Sequence, residues 1–449
     1  MMDVLGKLMA VTMMVGAVLS AQAMGPEDVA FTRVWKGRHV FDAELPFPEG
    51  VSFLPAAHYA AEVKSLPAEM RIEDRSGNAI ARFAAPDSET PPFTMHLALT
   101  GRHKPAVFTT KDGRTRLAYI GEIPGHSGFD IRAKINTTSL AVRPYGGAGP
   151  VAATMSAGVG QADVRFVTRG RQAALYLEGG RLFFTFSARF YGSAMGVGSL
   201  DPEHPERGVR YEGQILFDYG DGLLRNDLAA HIFLDDETGE WRGWSSNFST
   251  GSDALSKRAP GGLNAIWCKT NPLHGLSVMR AKSLGLDGMN EDPSGVWDPA
   301  AKKWRLYVSA FVPKDIRGQI LESDRWDGGF RPMTAVAAEN STGTTIASMD
   351  GRLHCLSGSS DRAYYVYSYP SLELRGKLSM SPTPWRADAK GWAHGRGWPA
   401  FAEIPGREHR YILLTMDREN FPGMPKPNWT YGELSIYCGS RTIPGRAGQ

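Results

Sequence analysis

Residues 291–311 read EDPSGVWDPAAKKWRLYVSAF. This stretch contains a short apolar strand, a polar turn and a second strand rich in aromatic and β-branched residues, which is the pattern of a β-hairpin. Four more segments follow the same plan, at 172–189, 227–249, 344–359 and 398–417. When Ala173, Ala229, Pro293, Thr345 and Pro399 are taken as equivalent points, the spacings are 56, 64, 52 and 54 residues. The regular spacing indicates an internal repeat.

The repeat predicts a five-bladed β-propeller over residues 151–449. An antiparallel blade of four strands cannot cover its own faces, so several blades must pack around an axis. Outer strands are expected at 318–325, 363–370 and 431–438. A β-sandwich with coincidental hairpins is the alternative, but sandwich strands recur every ~8–12 residues without a larger period. We therefore expect five blades.

Residues 24–150 contain strand-like runs without this rhythm, at 70–74, 79–85, 95–100 and 117–123. We interpret them as an N-terminal β-sandwich-like domain. The segment 106–121 resembles a propeller hairpin, which leaves a sixth blade open. No long segment has a 3.6-residue hydrophobic period, so long helices are not expected and the fold class is all-β.

The first 23 residues have the pattern of a signal peptide. Lys7 precedes an apolar run from Leu8 to Leu19, and small residues end at Ala23, where cleavage is expected. The run is shorter than the ~20 residues that span a bilayer, and no later segment is long and apolar enough. The sequence therefore predicts a secreted or periplasmic protein without a membrane span after cleavage.

Charge and cysteine content exclude several classes of partner. Fifty basic and 47 acidic residues give a net charge of +3, too little for a nucleic-acid surface. Cys268, Cys355 and Cys438 are far apart and have no His or Cys neighbours at metal-ligand spacing, so the sequence allows one disulfide, and the cysteine left over is expected to be a buried thiol. No cofactor or metal is indicated, although Ca²⁺ in the central funnel is left open.

In a propeller the first strand of each blade starts near one mouth of the funnel, so these positions supply the candidate site residues. The predicted catalytic carboxylates are Asp227, Glu291 and Asp292. The predicted substrate-binding residues are Arg171, Gln172, Thr344, His394, Arg396 and Trp398. Two carboxyl groups on either side of a bond are what glycoside hydrolysis requires, and tryptophan offers a flat apolar face to a sugar. A carbohydrate is therefore the expected substrate.

The run Glu291–Asp298, followed by the strand Trp304–Phe311, resembles a blade motif of the five-bladed arabinanase and β-xylosidase type, glycoside hydrolase family 43, and of its invertase-like relatives. Residues 393–397, AHGRG, are similar to a G-H-[GA] turn of these enzymes. The resemblance implies three carboxylates acting as base, pKa modulator and acid, and Asp292 aligns with the carboxylate of the D-P blade. Arg171-Gln172 stand where the family has its aspartate base, and no E-G-P segment for the acid is found.

The leading hypothesis is a secreted glycoside hydrolase that cleaves a polysaccharide or oligosaccharide with a pair of funnel carboxylates. A polysaccharide lyase on the same scaffold is the alternative, in which Arg171, His394 and Arg396 would serve a uronate substrate. A non-catalytic carbohydrate-binding propeller is the third possibility. The sugar, the linkage and the oligomeric state are not indicated by the sequence.

Overall fold

The computed structural model describes residues 24–101, 103–125, 129–247, 262–286, 289–313, 315–386, 396–407, 410–425, 430 and 432–441. The signal-peptide prediction therefore lies outside the described residues. Strands make up most of the described chain, and helix is limited there to one α-helical turn, α1 (Asn136–Ser139), and the 3-10 turns Pro26–Asp28 and Pro205–Arg207. Among the described residues no helix has the length and apolar character needed to cross a membrane. The all-β prediction is confirmed.

The N-terminal domain is built around one long, bent strand. After β1 (Val29–Lys36), which belongs to the propeller, its strands are β2 (Glu44–Pro46), β3 (His58–Asp74), β4 (Ala79–Ala84), β5 (Phe93–Ala98), β6 (Ala106–Lys111), β7 (Arg114–Ile120), β8 (Leu140–Ala148) and β9 (Ala152–Ser156). The first half of β3 pairs with β5 and β9, and its second half pairs with β4 and β8. The hairpin β6–β7 extends the β5 side of this sheet. It is therefore not a sixth blade.

Blades one and two follow in the chain. Blade one consists of β10 (Gly160–Phe166) and, after the short strands β11 (Thr168–Arg169), β12 (Ala174–Leu175) and β13 (Leu177–Glu178), of β14 (Arg181–Arg189), β15 (Ser193–Leu200) and β16 (Val209–Asp218). After β17 (Leu224–Arg225), blade two consists of β18 (Leu228–Asp235), β19 (Glu240–Ser246), β20 (Leu263–Cys268) and β21 (Gly275–Ser283). The outer strands β16 and β21 pair in parallel, which joins the two blades into one sheet.

Blades three and four are separate four-stranded antiparallel sheets. Blade three contains β22 (Asn290–Asp298), β23 (Lys303–Val312), β24 (Asp315–Ser323) and β25 (Arg331–Asn340). Blade four contains β26 (Thr342–Met349), β27 (Arg352–Gly358), β28 (Tyr364–Ser368) and β29 (Leu374–Lys377). Both begin with the strand that the repeat predicted.

Blade five is completed by the start of the chain. After β30 (Ser379–Ser381), it contains β31 (Ala400–Glu403), β32 (Arg410–Met416) and β33 (Leu434–Arg441). Its fourth strand is β1, which pairs antiparallel with β33 and parallel with β30. Val29 and Phe31 are buried there against Phe401 and Tyr411. The ring is thus closed by residues that the sequence analysis placed in the N-terminal domain.

Separate hydrophobic clusters fill the interfaces between neighbouring blades. One joins blades one and two, another blades two and three, a third blades three and four, and a fourth blades four and five. The largest cluster runs continuously from the N-terminal domain into blades one and five. The structure therefore has five blades, with a second β domain sharing the core of two of them.

The inner strand of blade one differs from the predicted one. The repeat pattern starts this blade at residue 172, whereas the inner strand that pairs with β14 is β10, about ten residues earlier. Residues 174–178 form only the two-residue strands β12 and β13. Their sequence was misleading because they are rich in apolar residues and directly precede the turn into β14. The difference affects the site, because Arg171 and Gln172 were predicted to lie at the mouth as the first residues of this blade.

Candidate active site

The inner strands of four blades share one local distortion at their start. Each contains a β-bulge in which two residues oppose one residue of the partner strand, and the first of the two has a positive φ: Asp163 (56°), Ala229 (54°), Asp292 (59°) and Gly343 (62°). A bulge bends the strand and re-aims the side chains next to it. The four positions are equivalent, so the four bulges lie at one end of the ring, which we call the mouth.

Blade one contributes a carboxylate that the sequence analysis missed. Asp163 occupies the bulge of β10, and its carboxylate forms an ion pair with Arg189 at the end of β14. Its backbone N–H donates to the sulfur of Met416 in blade five, at 3.2 Å. The Asp163 side chain retains 7% of its exposure, so it is nearly but not wholly closed off. A charged group on blade one thus reaches the mouth.

Glu291 lies just before the bulge of blade three. Its side chain is half-buried, and no hydrogen bond to its carboxyl group is found within the described part of the chain. Burial raises the pKa of Glu291 well above its usual range, and the negative charges of Asp292 and Asp163 raise it further, against an opposing effect of Arg418 and Arg189. A carboxyl group in this environment favours its protonated form.

Asp292 is held rigidly beside it. Its Oδ2 accepts hydrogen bonds from the Ser309 hydroxyl at 3.0 Å and from the Gly343 N–H at 2.8 Å. Burial raises its pKa to about 6, and Asp163 contributes to the rise. Glu291 and Asp292 are adjacent in sequence, yet both belong to one cluster with Asp163, because the bulge interrupts the alternation of side chains along β22.

A buried arginine ties the blades together beneath these carboxylates. Arg165 of β10 donates to the backbone O of Thr344 at 2.5 Å, to Thr345 Oγ1 at 3.1 Å and to the backbone O of Asp292 at 3.3 Å. Its guanidinium lies 5.0 Å from the ring of Trp398. Burial lowers the pKa of Arg165 to about 10, although Asp292 and Asp163 oppose this effect. Arg165 therefore links blades one, three and four and packs against the start of blade five.

Asp227, at the start of blade two, is on the same end of the ring but is completely buried. Its Oδ2 accepts hydrogen bonds from the Tyr219 hydroxyl and, at 3.3 Å, from Asn264 Nδ2. The neighbouring Asn226 donates to the backbone O of Thr100 at 3.0 Å, which connects this corner with the N-terminal domain. The structure thus brings Asp227 to the mouth end without exposing it there.

The predicted substrate-binding residues of blades four and five also differ in accessibility. Thr344 is fully buried, and its hydroxyl donates to the backbone O of Asp292 at 2.5 Å. Trp398 is buried too, and a Cβ at Gly343 would lie 2.5 Å from its ring, so the bulge of blade four requires glycine. Arg396 is half-buried and lies near Asp315, the first residue of β24 in blade three. His394 lies outside the described residues.

Arg171 and Gln172 were expected at the mouth, and the structure places them at the other end of the strands. Arg171 forms a two-point ion pair with Asp235, the last residue of β18, with distances of 3.0 and 2.9 Å. Its backbone O accepts from the N–H of Trp297, five residues along β22 from Asp292. Gln172 is exposed next to it. These two residues lie away from the mouth because the inner strand of blade one is β10 and not the segment that begins at residue 172.

Sequence reasoning missed three charged residues of the mouth, Asp163, Arg165 and Arg189. No hairpin pattern pointed to residues 162–166, because the apolar residues between 167 and 180 lie closer to β14.

No protein-family model and no curated protein matches the chain. Solved structures with a similar chain path include an α-L-arabinofuranosidase from Podospora anserina in complex with cellotriose, with 11% identity, coverage of 63% of this chain and 91% of that one, and a TM-score of 0.40. An α-L-arabinofuranosidase from Lactobacillus brevis has 12% identity, coverage of 62% and 90%, and a TM-score of 0.40. A family 117 glycoside hydrolase from Zobellia galactanivorans has 13% identity, coverage of 63% and 85%, and a TM-score of 0.39. At these values the similarities carry no argument, and the five-bladed assignment rests on the strand pairing described above.

Proposed function

We propose that the protein is a glycoside hydrolase in which Glu291 is the general acid and Asp163 is the opposing carboxylate. The observation that carries the proposal is the pairing, at one mouth, of a carboxyl group with a raised pKa and an ion-paired carboxylate from a different blade. Glycoside hydrolysis needs one carboxyl group that gives a proton to the leaving oxygen and one that activates water or attacks the sugar.

Glu291 suits the acid role for two reasons. It is partly accessible, and its carboxyl proton is not engaged by a described neighbour. Burial and the neighbouring negative charges raise its pKa, so the carboxyl group keeps its proton to a higher pH than an ordinary glutamate does, as suits a general acid. Activity should therefore fall as the pH rises through the pKa of Glu291, because the deprotonated group has no proton to give.

Asp163 suits the second role because its carboxylate is oriented by Arg189 and keeps slight access to the mouth. The negative charge of Asp292 raises the pKa of Glu291. Asp292 is therefore assigned the role of pKa modulator. Asp227 is assigned a positioning role, since its carboxylate is buried and bonded to Tyr219 and Asn264.

The substrate is proposed to be an oligosaccharide or polysaccharide met outside the cytoplasm. The family 43 resemblance of residues 291–311 supports a sugar substrate, and the signal-peptide pattern of residues 1–23 supports export to the periplasm or medium. N-terminal sequencing of the mature protein tests the second point, and we expect it to begin at Met24.

The test of the acid uses Glu291→Gln with two substrates that share one glycone, identified by glycan screening with the wild type. The variant should cleave a substrate whose leaving group needs protonation, such as a disaccharide, about 10²–10⁴-fold more slowly than the wild type does. A glycosyl fluoride, whose leaving group needs far less help from an acid, should be much less affected. The matched control is Glu373→Gln, which changes an exposed glutamate away from the mouth.

Equal loss on both substrates, or unchanged turnover of the sugar substrate, would remove Glu291 from the acid role. A product with new ultraviolet absorbance from a carbon–carbon double bond would indicate a lyase. Saturable glycan binding without any product after long incubation would indicate a binding propeller.

A further inference from the structure

An exposed apolar patch lies next to Glu291. Met289 and Phe311 are 39% and 38% exposed, high values for large apolar side chains, and the Phe311 N–H donates to the backbone O of Met289 at 3.0 Å. Ile316, which faces Phe311 across the β23–β24 pair, is half-buried. We call these three residues the apolar lip. Single exposed apolar residues are ordinary, but adjacent ones on neighbouring strands indicate a contact surface.

The apolar lip shares a face of the blade with Glu291. Glu291 lies opposite Ser309 in the β22–β23 pair, and Phe311 is two residues beyond Ser309 on the same strand. Side chains two residues apart point to the same face, so Phe311 follows Ser309 and Glu291 on that face. The step between them is roughly 7 Å. That length is comparable to one pyranose ring.

This face points towards blade four. Tyr307, two residues before Ser309, is buried in the cluster between blades three and four, whereas Leu306 and Val308 belong to the cluster between blades two and three. At the mouth end the backbone O of Ile316 accepts hydrogen bonds from the N–H of Ser341 at 2.9 Å and from Asn340 Nδ2 at 3.2 Å. The apolar lip therefore begins a path that runs outward from Glu291 along the boundary of these blades.

We propose that the apolar lip is the leaving-group subsite, which binds the sugar unit released when the glycosidic bond is cleaved. This inference rests on the proposed function, because a general acid must lie against the oxygen that joins the cleaved sugar to its leaving group. The first ring of the leaving group then lies on the acid's side of the bond. On that side the structure offers an aromatic ring and two aliphatic side chains.

The chemistry of the lip defines the leaving group. A flat aromatic side chain packs against the C–H face of a sugar ring and excludes water there. Polar groups at the margin, Asn340 and Asp315, are hydrogen-bonded to each other at 2.5 Å, beside the patch. The subsite therefore fits a sugar ring with one apolar face, and a substrate whose leaving group is a sugar should be preferred over one whose leaving group is small.

The test compares Phe311→Ala with the wild type on two substrates of one glycone, a disaccharide and the glycosyl fluoride. The variant should lose about tenfold in kcat/KM on the disaccharide, because the leaving-group contact is removed. Its kcat/KM on the fluoride should be unchanged, because that substrate places no ring on the lip. Phe311→Trp should keep the disaccharide activity, and the control Val336→Ala removes an equally exposed apolar residue from β25.

The outcomes separate the two proposals. If the wild type cleaves the disaccharide and Phe311→Ala is as active on it, or loses activity equally on both substrates, the subsite is overturned while the hydrolase stands. If the wild type cleaves no glycoside, the proposed function is overturned and the subsite with it. An unchanged thermal unfolding temperature of Phe311→Ala shows that a loss of kcat/KM does not come from a destabilised fold.

Discussion

At the scale of single residues, the mouth carries a charge that costs stability. The pKa of Asp292 is raised to about 6, mainly by burial, from an ordinary value near 3.8. The native state therefore binds more protons than the unfolded state between these two values, and stability falls as the pH rises through that window. A carboxylate kept at such a cost is typical of a functional site.

Asp292→Asn should therefore stabilise the protein at pH 7, by on the order of 2 kcal/mol. The amide oxygen can still accept the hydrogen bonds of Ser309 and Gly343, while the buried charge is gone. The gain should shrink towards zero near pH 4, where the carboxyl group is protonated in the native state. Denaturant unfolding at both pH values measures it, with exposed Asp87→Asn as the control. Destabilisation at pH 7 would contradict the assignment of a charge penalty.

The residue pattern of the site was only partly predictable. Glu291 and Asp292 could be found because the segment EDP precedes a clear hairpin. Asp163 could not be found, because its strand is separated from its hairpin partner by fourteen residues, 167–180, that contain apolar residues of their own. Local periodicity identifies strands but does not decide which of two neighbouring segments pairs with the next one.

At the scale of elements, the closure of the ring depends on β1. Phe31 is buried against Phe401 of blade five, with ring centroids 6.2 Å apart. Phe31→Ala should destabilise the protein by about 3–5 kcal/mol, because it leaves a cavity between β1 and β31. Val34→Ala, on the exposed side of the same strand, should cost much less. Denaturant unfolding of the two variants measures the difference, and equal values would show that β1 does not hold the ring closed.

The pairing of β1 with blade five could not be predicted from the sequence. The hairpins of blades two to five were predictable because their strands are close in sequence and joined by turns. The pairing of β1 with β33 joins residues about 400 positions apart, and no turn signal or period connects them. Pairings of this kind are decided by tertiary packing.

At the scale of the whole molecule, the two domains share one core, so they should unfold together. Cluster residues such as Phe108 of the N-terminal domain and Phe421, which lies between β32 and β33 of blade five, are in ring contact, with centroids 5.5 Å apart. All eleven tryptophans lie outside residues 37–157, so their fluorescence reports on the propeller alone. Far-ultraviolet circular dichroism reports on both domains. The two signals should give one coincident thermal transition, and an earlier or later change in dichroism would show that the domains unfold independently.

The repeated bulge has a consequence for how this scaffold can change its chemistry. The same backbone distortion carries an acid in blades one and three, alanine in blade two and glycine in blade four. The strand geometry that presents a reactive group is therefore independent of the group itself. Ala229 shows that a residue with a side chain also adopts this conformation in blade two, so one strand geometry presents different residues at equivalent positions of the ring.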